Sequence, residues 1–287
     1  MRLFSIITAF LVFAMSPLEK VHAGTGSAVL PLKDNDLYAL SACLMDADSG
    51  RVLYGKNVDE VRAMASTTKI MTLIIALEYG NAEDTVTISP YAASMPDVQL
   101  NVRAGEQYRL GDLCYAMMLE SYNDIAAAIA EHIGMAYADI DINDTEKRSI
   151  DDSRKCVSAF AGLMNDKARE LGCENTYFIT PNGLDAEDEN GKHSTTAREL
   201  ALIAAYAVKK DDFNVITGTK QYSFCEINGK RNCNVYNKDA FLNQMSGAFG
   251  IKTGFTGNAG YCFVGALKSD GRTFISVVLG SGWPSAR

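Results

Sequence analysis

The stretch Ala65-Ser66-Thr67-Thr68-Lys69-Ile70-Met71-Thr72 opens a run of mostly apolar residues that continues to Tyr79. These residues leave almost no polar face, which is typical of a helix that is buried on all sides. Ser66 and Lys69 are three residues apart in the predicted helix, so their side chains share one face. The stretch therefore predicts a central buried helix that carries a hydroxyl and an amine near its start.

This hydroxyl and amine form a candidate catalytic pair. A serine hydroxyl is a weak nucleophile until a base takes its proton, and a lysine can be that base only when its amine is neutral. Burial in the apolar helix and a nearby second cation, Lys252, would both lower the pKa of Lys69. A helix start also directs backbone N–H groups, including that of Ser66, at a developing negative oxygen. The structural alternative is that Ser66 caps the helix while Lys69 extends to solvent.

A second motif, Ser121-Tyr122-Asn123, lies between two segments predicted to be helical, Leu110–Leu119 and Ile125–Ile133. A loop at this point can project Ser121 and Asn123 into a cleft. Ser121 could relay a proton to a leaving nitrogen, and the amide of Asn123 could bind a substrate peptide group. Taken alone, the motif equally fits a turn in which either residue caps the next helix.

A third motif, Lys252-Thr253-Gly254, ends a predicted strand that begins near Phe249. The lysine and the threonine hydroxyl could hold a substrate carboxylate, and the glycine would let a substrate backbone lie close to the strand edge. The N–H of Phe255 is the expected second donor to the oxyanion. The alternative is an exposed charged strand end followed by a turn glycine.

In this order, the three motifs resemble those of the penicillin-recognising serine enzymes. Within that group the chain resembles the low-molecular-mass penicillin-binding proteins that are D-alanyl-D-alanine carboxypeptidases, and Thr180–Leu184 and Ser194–Arg198 also match their style. The resemblance runs from about Leu40 to Leu279. It implies Ser66 as the acyl-ester nucleophile, Lys69 as proton acceptor, Ser121 as the second catalytic hydroxyl and Lys252 as substrate binder. It also implies peptidoglycan stem peptides as substrates and β-lactam antibiotics as covalent inhibitors.

The order of the predicted elements indicates an α/β fold of the β-lactamase/DD-peptidase type. A strand pair opens the chain, helices fill its middle, and antiparallel strands close it, which predicts an antiparallel sheet flanked by helices with a separate helical lobe. An active site between the lobes would follow. The strands are predicted at Leu40–Asp46, Val52–Gly55, Phe249–Lys252, Tyr261–Leu267 and Phe274–Leu279. Further predictions are an exposed loop over Ala136–Asp152, a helix over Cys156–Leu171, and a helix capped by Thr195 or Thr196 that runs to about Lys209.

The first 23 residues have the pattern of a secretory signal peptide, with Arg2, an apolar run from Leu3 to Met15, and a small-residue ending at Ala23. A retained anchor is the alternative, but the apolar run is shorter than the roughly 20 residues that span a bilayer. We therefore expect export to the cell wall or periplasm, with residues 24–287 as the catalytic domain and no transmembrane segment after cleavage. Members of the family that this chain resembles usually continue into a β-rich C-terminal domain and an amphipathic helix. The sequence stops at Arg287, so membrane attachment through such a helix is not supported by it. Either the sequence is truncated or the protein works as a bare catalytic domain.

The composition argues against several other functions. The formal net charge is −8 and no stretch interleaves basic and aromatic residues, so nucleic-acid binding is not expected. Metal-ligand spacings are absent and we expect no cofactor. Among the seven cysteines, Cys225 and Cys233 flank the turn Asn228-Gly229. That turn places Cys225 opposite Asn232, on the other face from Cys233, so both are expected to remain free thiols.

Three other activities are alternatives to the carboxypeptidase. A class A β-lactamase adds a glutamate followed four residues later by an asparagine, and no glutamate here has that partner. We therefore expect a long-lived acyl-enzyme with penicillin. A non-catalytic β-lactam sensor would acylate without releasing D-alanine. A Ser-His-Asp hydrolase is disfavoured because there is no Gly-x-Ser-x-Gly sequence. The motifs leave open whether water or an amine attacks the acyl-enzyme.

Overall fold

A computed structural model describes residues 37–140 and 148–282 of the protein. Eleven strands are assigned within these residues: β1 (Ser41–Asp46), β2 (Val52–Lys56), β3 (Thr85–Thr87), β4 (Gln107–Arg109), β5 (Glu187–Asp188), β6 (Gly191–Lys192), β7 (Gln221–Cys225), β8 (Asn232–Tyr236), β9 (Ala248–Thr256), β10 (Gly260–Ser269) and β11 (Arg272–Ser281). The helices are α1 (Lys69–Tyr79), α2 (Pro90–Ala93), α3 (Leu110–Glu120), α4 (Asn123–Gly134), α5 (Ile150–Glu170), α6 (Ala197–Ala207), α7 (Asp211–Gly218) and α8 (Phe241–Gln244).

The main sheet is antiparallel and has five strands in the order β2-β1-β11-β10-β9. The predicted opening hairpin is confirmed, and Asp46 stabilises its turn by accepting hydrogen bonds from the N–H groups of Asp48 and Ser49. The three predicted C-terminal strands are also confirmed, and each extends beyond its predicted limits. Strand β9 lies at the edge of the sheet, where it contacts α7, α8 and the turn Ala65–Thr68.

Helix α1 is the centre of the core, as its apolar pattern predicts. Ile70, Leu73, Ile74 and Ile75 are all fully buried. Each such side chain contributes about 1.5 to 3 kcal/mol relative to an exposed one. The helix contacts the sheet on one side and α3, α4 and α5 of the helical lobe on the other. The first predicted turn is not α-helical, because Ala65–Thr68 form a 3₁₀ turn and the α-helix begins at Lys69.

The helical lobe is built from α3, α4 and α5. Its two long helices pack closely where Gly134 meets the backbone of Cys156, since a Cβ on Gly134 would lie 2.0 Å from the Cys156 carbonyl oxygen. The predicted start of α5 at Cys156 is wrong. The helix begins at Ile150, because Ser149 caps it by accepting a hydrogen bond from the Asp152 N–H. The middle of the loop predicted over Ala136–Asp152 lies outside the described residues.

Two further predictions about the fold are tested by the structure. The β7–β8 register places Cys225 opposite Asn232 and Phe224 opposite Cys233, as predicted, and all seven cysteines are free thiols. Thr196 is the residue that caps α6, where its hydroxyl accepts a hydrogen bond from the Glu199 N–H.

The signal peptide predicted over residues 1–23 lies outside the described residues. Among the helices that are described, none is both long and apolar enough to cross a bilayer.

Candidate active site

Ser66 lies in the 3₁₀ turn that precedes α1, where β9 comes close to the backbone. The turn is held by the hydroxyls of Thr67 and Thr68, which donate to the carbonyls of Met64 and Ala65 at 2.6 and 2.8 Å. A Cβ on Gly254 would lie only 2.7 Å from the Ser66 nitrogen. The absence of a side chain at position 254 therefore lets the edge strand approach the backbone of the serine.

Lys69 is completely buried and its amine is directed at Ser66. Its Nζ lies 3.0 Å from the Ser66 Oγ, 2.9 Å from the Asn123 Oδ1 and 2.6 Å from the Asn182 carbonyl oxygen. A neutral amine has two protons and one lone pair. The two carbonyl oxygens can only accept hydrogen bonds, so they take both protons and leave the lone pair to face the serine hydroxyl.

The surroundings of Lys69 also favour the neutral amine. Burial lowers the pKa of Lys69 well below its usual value, and the positive charge of Lys252 lowers it further. Asp124 acts in the opposite direction. However, the pKa of Asp124 is itself raised by burial, and its carboxylate accepts hydrogen bonds from the N–H groups of Leu100 and Val102. The two causes expected from the sequence, burial and Lys252, are thus both present.

Asn123 is buried at the first position of α4, and both ends of its amide are engaged. Oδ1 accepts from Lys69, while Nδ2 donates to the carbonyl oxygens of Pro96 and Asp97 at 3.1 and 2.9 Å. This residue therefore connects the amine to the loop that precedes the helical lobe. The predicted contact between Asn123 and a substrate peptide group stays a prediction.

Ser121 ends α3 with a left-handed backbone, φ 69°, and its side chain is half-buried. Within the described ranges its hydroxyl makes no hydrogen bond, so the structure does not link it to Ser66 or Lys69. Its motif neighbour Asn123 does reach Lys69 from the start of the next helix. The predicted proton relay through Ser121 stays a prediction.

Lys252 is 2% exposed on β9, and its Nζ donates to the Thr253 carbonyl at 3.0 Å. Burial lowers the pKa of Lys252 to about 8, although the nearby Asp239 carboxyl opposes the shift. At neutral pH this amine is therefore mostly charged, unlike that of Lys69. Thr253 is half-buried, and Phe255 is 57% exposed with its ring against that of Tyr261, 4.6 Å between centroids.

Two residues in the site were not predicted as functional from the sequence. The carbonyl of Asn182 accepts from Lys69, and the adjacent Gly183 has φ 86° with no room for a Cβ, which would lie 1.9 Å from the Ala65 oxygen. The Pro-Asn-Gly sequence predicts the tight loop. No sequence pattern indicates which backbone oxygen of that loop contacts the Lys69 amine.

His193 is the second residue that sequence reasoning missed. Its Nδ1 accepts hydrogen bonds from the N–H groups of Ile179 and Thr180 at 2.9 and 3.3 Å. Its Nε2 must therefore carry the ring proton, and it lies 2.8 Å from the Thr68 hydroxyl. Burial lowers the pKa of His193 to about 4, so the ring is neutral. It joins the Asn182 loop to the turn that contains Ser66.

The fold has a sheet and a helical lobe, and the serine and the lysine lie between them. This combination defines the serine DD-peptidase class of folds. More particularly, the chain belongs to the D-alanyl-D-alanine carboxypeptidase family, peptidase S11, which residues 28–139 and 155–282 match. The resemblance indicated by the three motifs and the predicted fold class are both confirmed.

Individual relatives agree with this assignment. D-alanyl-D-alanine carboxypeptidase DacF of Bacillus subtilis is 32% identical over 87% of this chain, and a Streptomyces D-alanyl-D-alanine carboxypeptidase is 32% identical over 85%. The chain spans 59% of the length of the first relative and 81% of the second. The crystal structure of a Streptomyces DD-transpeptidase superposes with a TM-score of 0.75 at 31% identity, covering 88% of this chain and 93% of the other.

Proposed function

We propose that this protein is a serine D-alanyl-D-alanine carboxypeptidase that removes the terminal D-alanine from peptidoglycan stem peptides. The observation that carries the proposal is the fully buried Lys69 amine, which lies 3.0 Å from the Ser66 Oγ and whose two carbonyl partners can accept both protons of its neutral form. The family to which the chain belongs supports the choice of substrate.

In the acylation step, Lys69 takes the proton of Ser66 as the Oγ attacks the carbonyl of the penultimate D-alanine. The oxyanion is stabilised by the backbone N–H groups of Ser66 and Phe255. The peptide C–N bond then breaks, and the leaving amine of the terminal D-alanine receives a proton, relayed from Lys69 through Ser121. This leaves the shortened peptide as an ester on Ser66, with Lys69 again neutral.

Hydrolysis repeats these roles with water as the nucleophile. Lys69 accepts a proton from the attacking water, the ester bond breaks, and the proton returns to the Ser66 oxygen. After a β-lactam has reacted, its leaving nitrogen remains part of the bound acyl group and stays in the site. The glutamate–asparagine pair of class A β-lactamases has no counterpart here, so we expect that acyl-enzyme to persist.

Substrate binding uses the free edge of β9. An extended peptide can pair with this edge, and its terminal carboxylate is held by Lys252 and the Thr253 hydroxyl. The pKa of about 8 keeps Lys252 mostly charged at neutral pH, as carboxylate binding requires. The Asn123 amide is proposed to contact the peptide after a rearrangement that frees one of its protons.

We further propose that the protein works outside the cytoplasm. The signal-peptide pattern of residues 1–23 supports export, and peptidoglycan stem peptides lie outside the cytoplasmic membrane. The formal net charge of −8 repels polyanions, which argues against nucleic acid as a partner.

The proposal is tested by two measurements on the same preparation. Mass spectrometry with peptide mapping after benzylpenicillin treatment is expected to find one adduct, on Ser66, and none in the Ser66→Ala variant. Release of D-alanine from a peptide ending in D-Ala-D-Ala is expected from the wild type only. Acylation without D-alanine release would contradict the carboxypeptidase and favour the sensor alternative.

A further inference from the structure

A cavity of about 370 Å³ lies beyond the end of β9, outside the catalytic groups described above. We name it the distal cavity. It is bordered by the segment before the 3₁₀ turn, by the residues that follow the Asn182 loop, by β6 and by the β9–β10 turn. Its lining includes Arg62, Asp185, Glu187, Lys192, His193 and Asn258.

The distal cavity is joined to the active site through two direct contacts. Thr256, two residues after Gly254 on β9, donates from Oγ1 to the Asp185 Oδ1 at 3.1 Å. On the other wall, His193 contacts the hydroxyl of Thr68, which is two residues from Ser66. The cavity therefore lies beside the end of β9 and adjoins the turn that contains Ser66.

The position of the cavity along β9 indicates which part of a bound peptide reaches it. If the proposed function holds, the terminal carboxylate lies at Lys252 and Thr253 and the attacked carbonyl lies beside Gly254. The peptide then runs antiparallel to β9, and its preceding residues follow Phe255 and Thr256. Strand residues advance about 3.4 Å each, so Thr256 lies about 7 Å beyond Gly254. This is within reach of a long side chain on the residue before the two D-alanines.

Charges of both signs line the distal cavity. Asp185 and Glu187 are exposed acids, and Lys192 is an exposed base. Across the portion of the chain that the structure describes, none of these three forms an ion pair. Arg62, by contrast, is already paired with Glu60. A ligand with both an ammonium and a carboxylate group would find a complementary charge for each.

We propose that the distal cavity binds the side chain of the stem-peptide residue that precedes the two D-alanines, and that it favours a side chain ending in both an ammonium and a carboxylate group. Asp185 and Glu187 accept from the ammonium, and Lys192 donates to the carboxylate. A side chain ending in an ammonium group alone leaves Lys192 without a partner and beside a like charge. This inference rests on the proposed function for the direction of the peptide.

The test compares two peptides that end in D-Ala-D-Ala and differ only in the preceding residue, which is meso-diaminopimelate in one and L-lysine in the other. The readout is the inhibition constant of each peptide against acylation of Ser66 by a fluorescent penicillin. This measures binding whether or not the peptide is hydrolysed. The wild type is expected to bind the diaminopimelyl peptide about tenfold more tightly, the effect of one additional charge-assisted hydrogen bond.

The variants separate the roles of the two charges. Lys192→Gln is expected to reduce the ratio of the two inhibition constants from about tenfold to about one, whereas Asp185→Asn and Glu187→Gln weaken both peptides. The matched controls Lys209→Gln and Glu189→Gln change exposed residues of the same types outside the cavity and should keep the wild-type ratio.

Equal binding of the two peptides by the wild type would overturn the inference, as would a ratio that Lys192→Gln leaves unchanged. Either result is compatible with D-alanine release, so the proposed function would stand. Conversely, a tenfold ratio without D-alanine release would contradict the carboxypeptidase and retain the distal cavity as a binding site.

Discussion

The backbone carbonyl of Asn182 accepts a hydrogen bond from the Lys69 Nζ at 2.6 Å, although 113 residues separate them in the sequence. With the Asn123 amide oxygen, it can accept both protons of a neutral lysine amine, which would leave the lone pair to the Ser66 hydroxyl. The proposed catalytic pair is local in sequence, but the groups that orient it come from the helical lobe and from a distant loop.

Replacement of Lys69 by arginine is expected to slow benzylpenicillin acylation by about a thousandfold, within the range for loss of a general base. A guanidinium keeps its proton at any accessible pH, so it cannot take the proton of Ser66. The rate is measured by stopped-flow or quenched-flow labelling. Lys209→Arg, at an exposed position, serves as the control, and an acylation rate in Lys69→Arg close to that of the control would contradict the account.

The pH profile of kcat/KM for D-alanine release is expected to be bell-shaped. On the acid side, activity falls as Lys69 gains a proton, and because its pKa is lowered this limb lies well below the usual lysine range. On the alkaline side, activity falls above a pH of about 8 as Lys252 loses the charge that holds the substrate carboxylate. In Lys252→Gln no group titrates at that position, so the alkaline limb near pH 8 should disappear. Its persistence would show that another group is responsible.

His193 is expected to make stability depend on pH. Its pKa is about 4 in the folded state against an ordinary 6.5, so the unfolded state binds more protons between these values. The stabilisation is therefore complete above about pH 6.5 and is lost as the pH falls toward 4, with an upper bound of about 3 kcal/mol. The midpoint of thermal unfolding, measured from pH 7 to 4.5, should fall less steeply in His193→Gln than in the wild type. Parallel curves for the two proteins would contradict this role.

Gly254 is expected to tolerate no side chain. A Cβ there would lie 2.7 Å from the Ser66 nitrogen and 3.1 Å from the Thr67 nitrogen, so the strand or the nucleophile turn must move. Displacements of about 1 Å at a reacting centre can cost a hundredfold in rate, and we expect at least that loss of acylation in Gly254→Ala. Gly257→Ala is the matched control, because a Cβ at Gly257 meets no atom within 4 Å. Equal rates in the two variants would contradict the close approach.

Local sequence patterns account for much of the fold and for the proximity of Ser66 and Lys69. The apolar run of α1 and the alternation in β9, β10 and β11 depend on neighbouring residues alone, and the spacing of Ser66 and Lys69 places them on one face of a turn. The register around Asn228-Gly229 was likewise predictable, because the turn determines which residues face each other.

Other features depend on contacts that no local pattern records. The Asn182 carbonyl carries no side-chain signature, and His193 has no neighbouring residue that indicates its contact with Thr68. The start of α5 at Ile150 was missed because its first turn is polar and acidic, which resembles a loop although acids at that position favour a helix.

The most direct test of the account is the protonation state of Lys69 in the resting enzyme. Lysine labelled with ¹³C at Cε reports the charge of each amine through its chemical shift, and the Lys69 resonance can be assigned by its loss in Lys69→Arg. The account predicts that this resonance is that of a neutral amine at pH 7, while exposed lysines remain charged. A Lys69 amine that is still protonated at pH 7 and titrates near the ordinary value would contradict it.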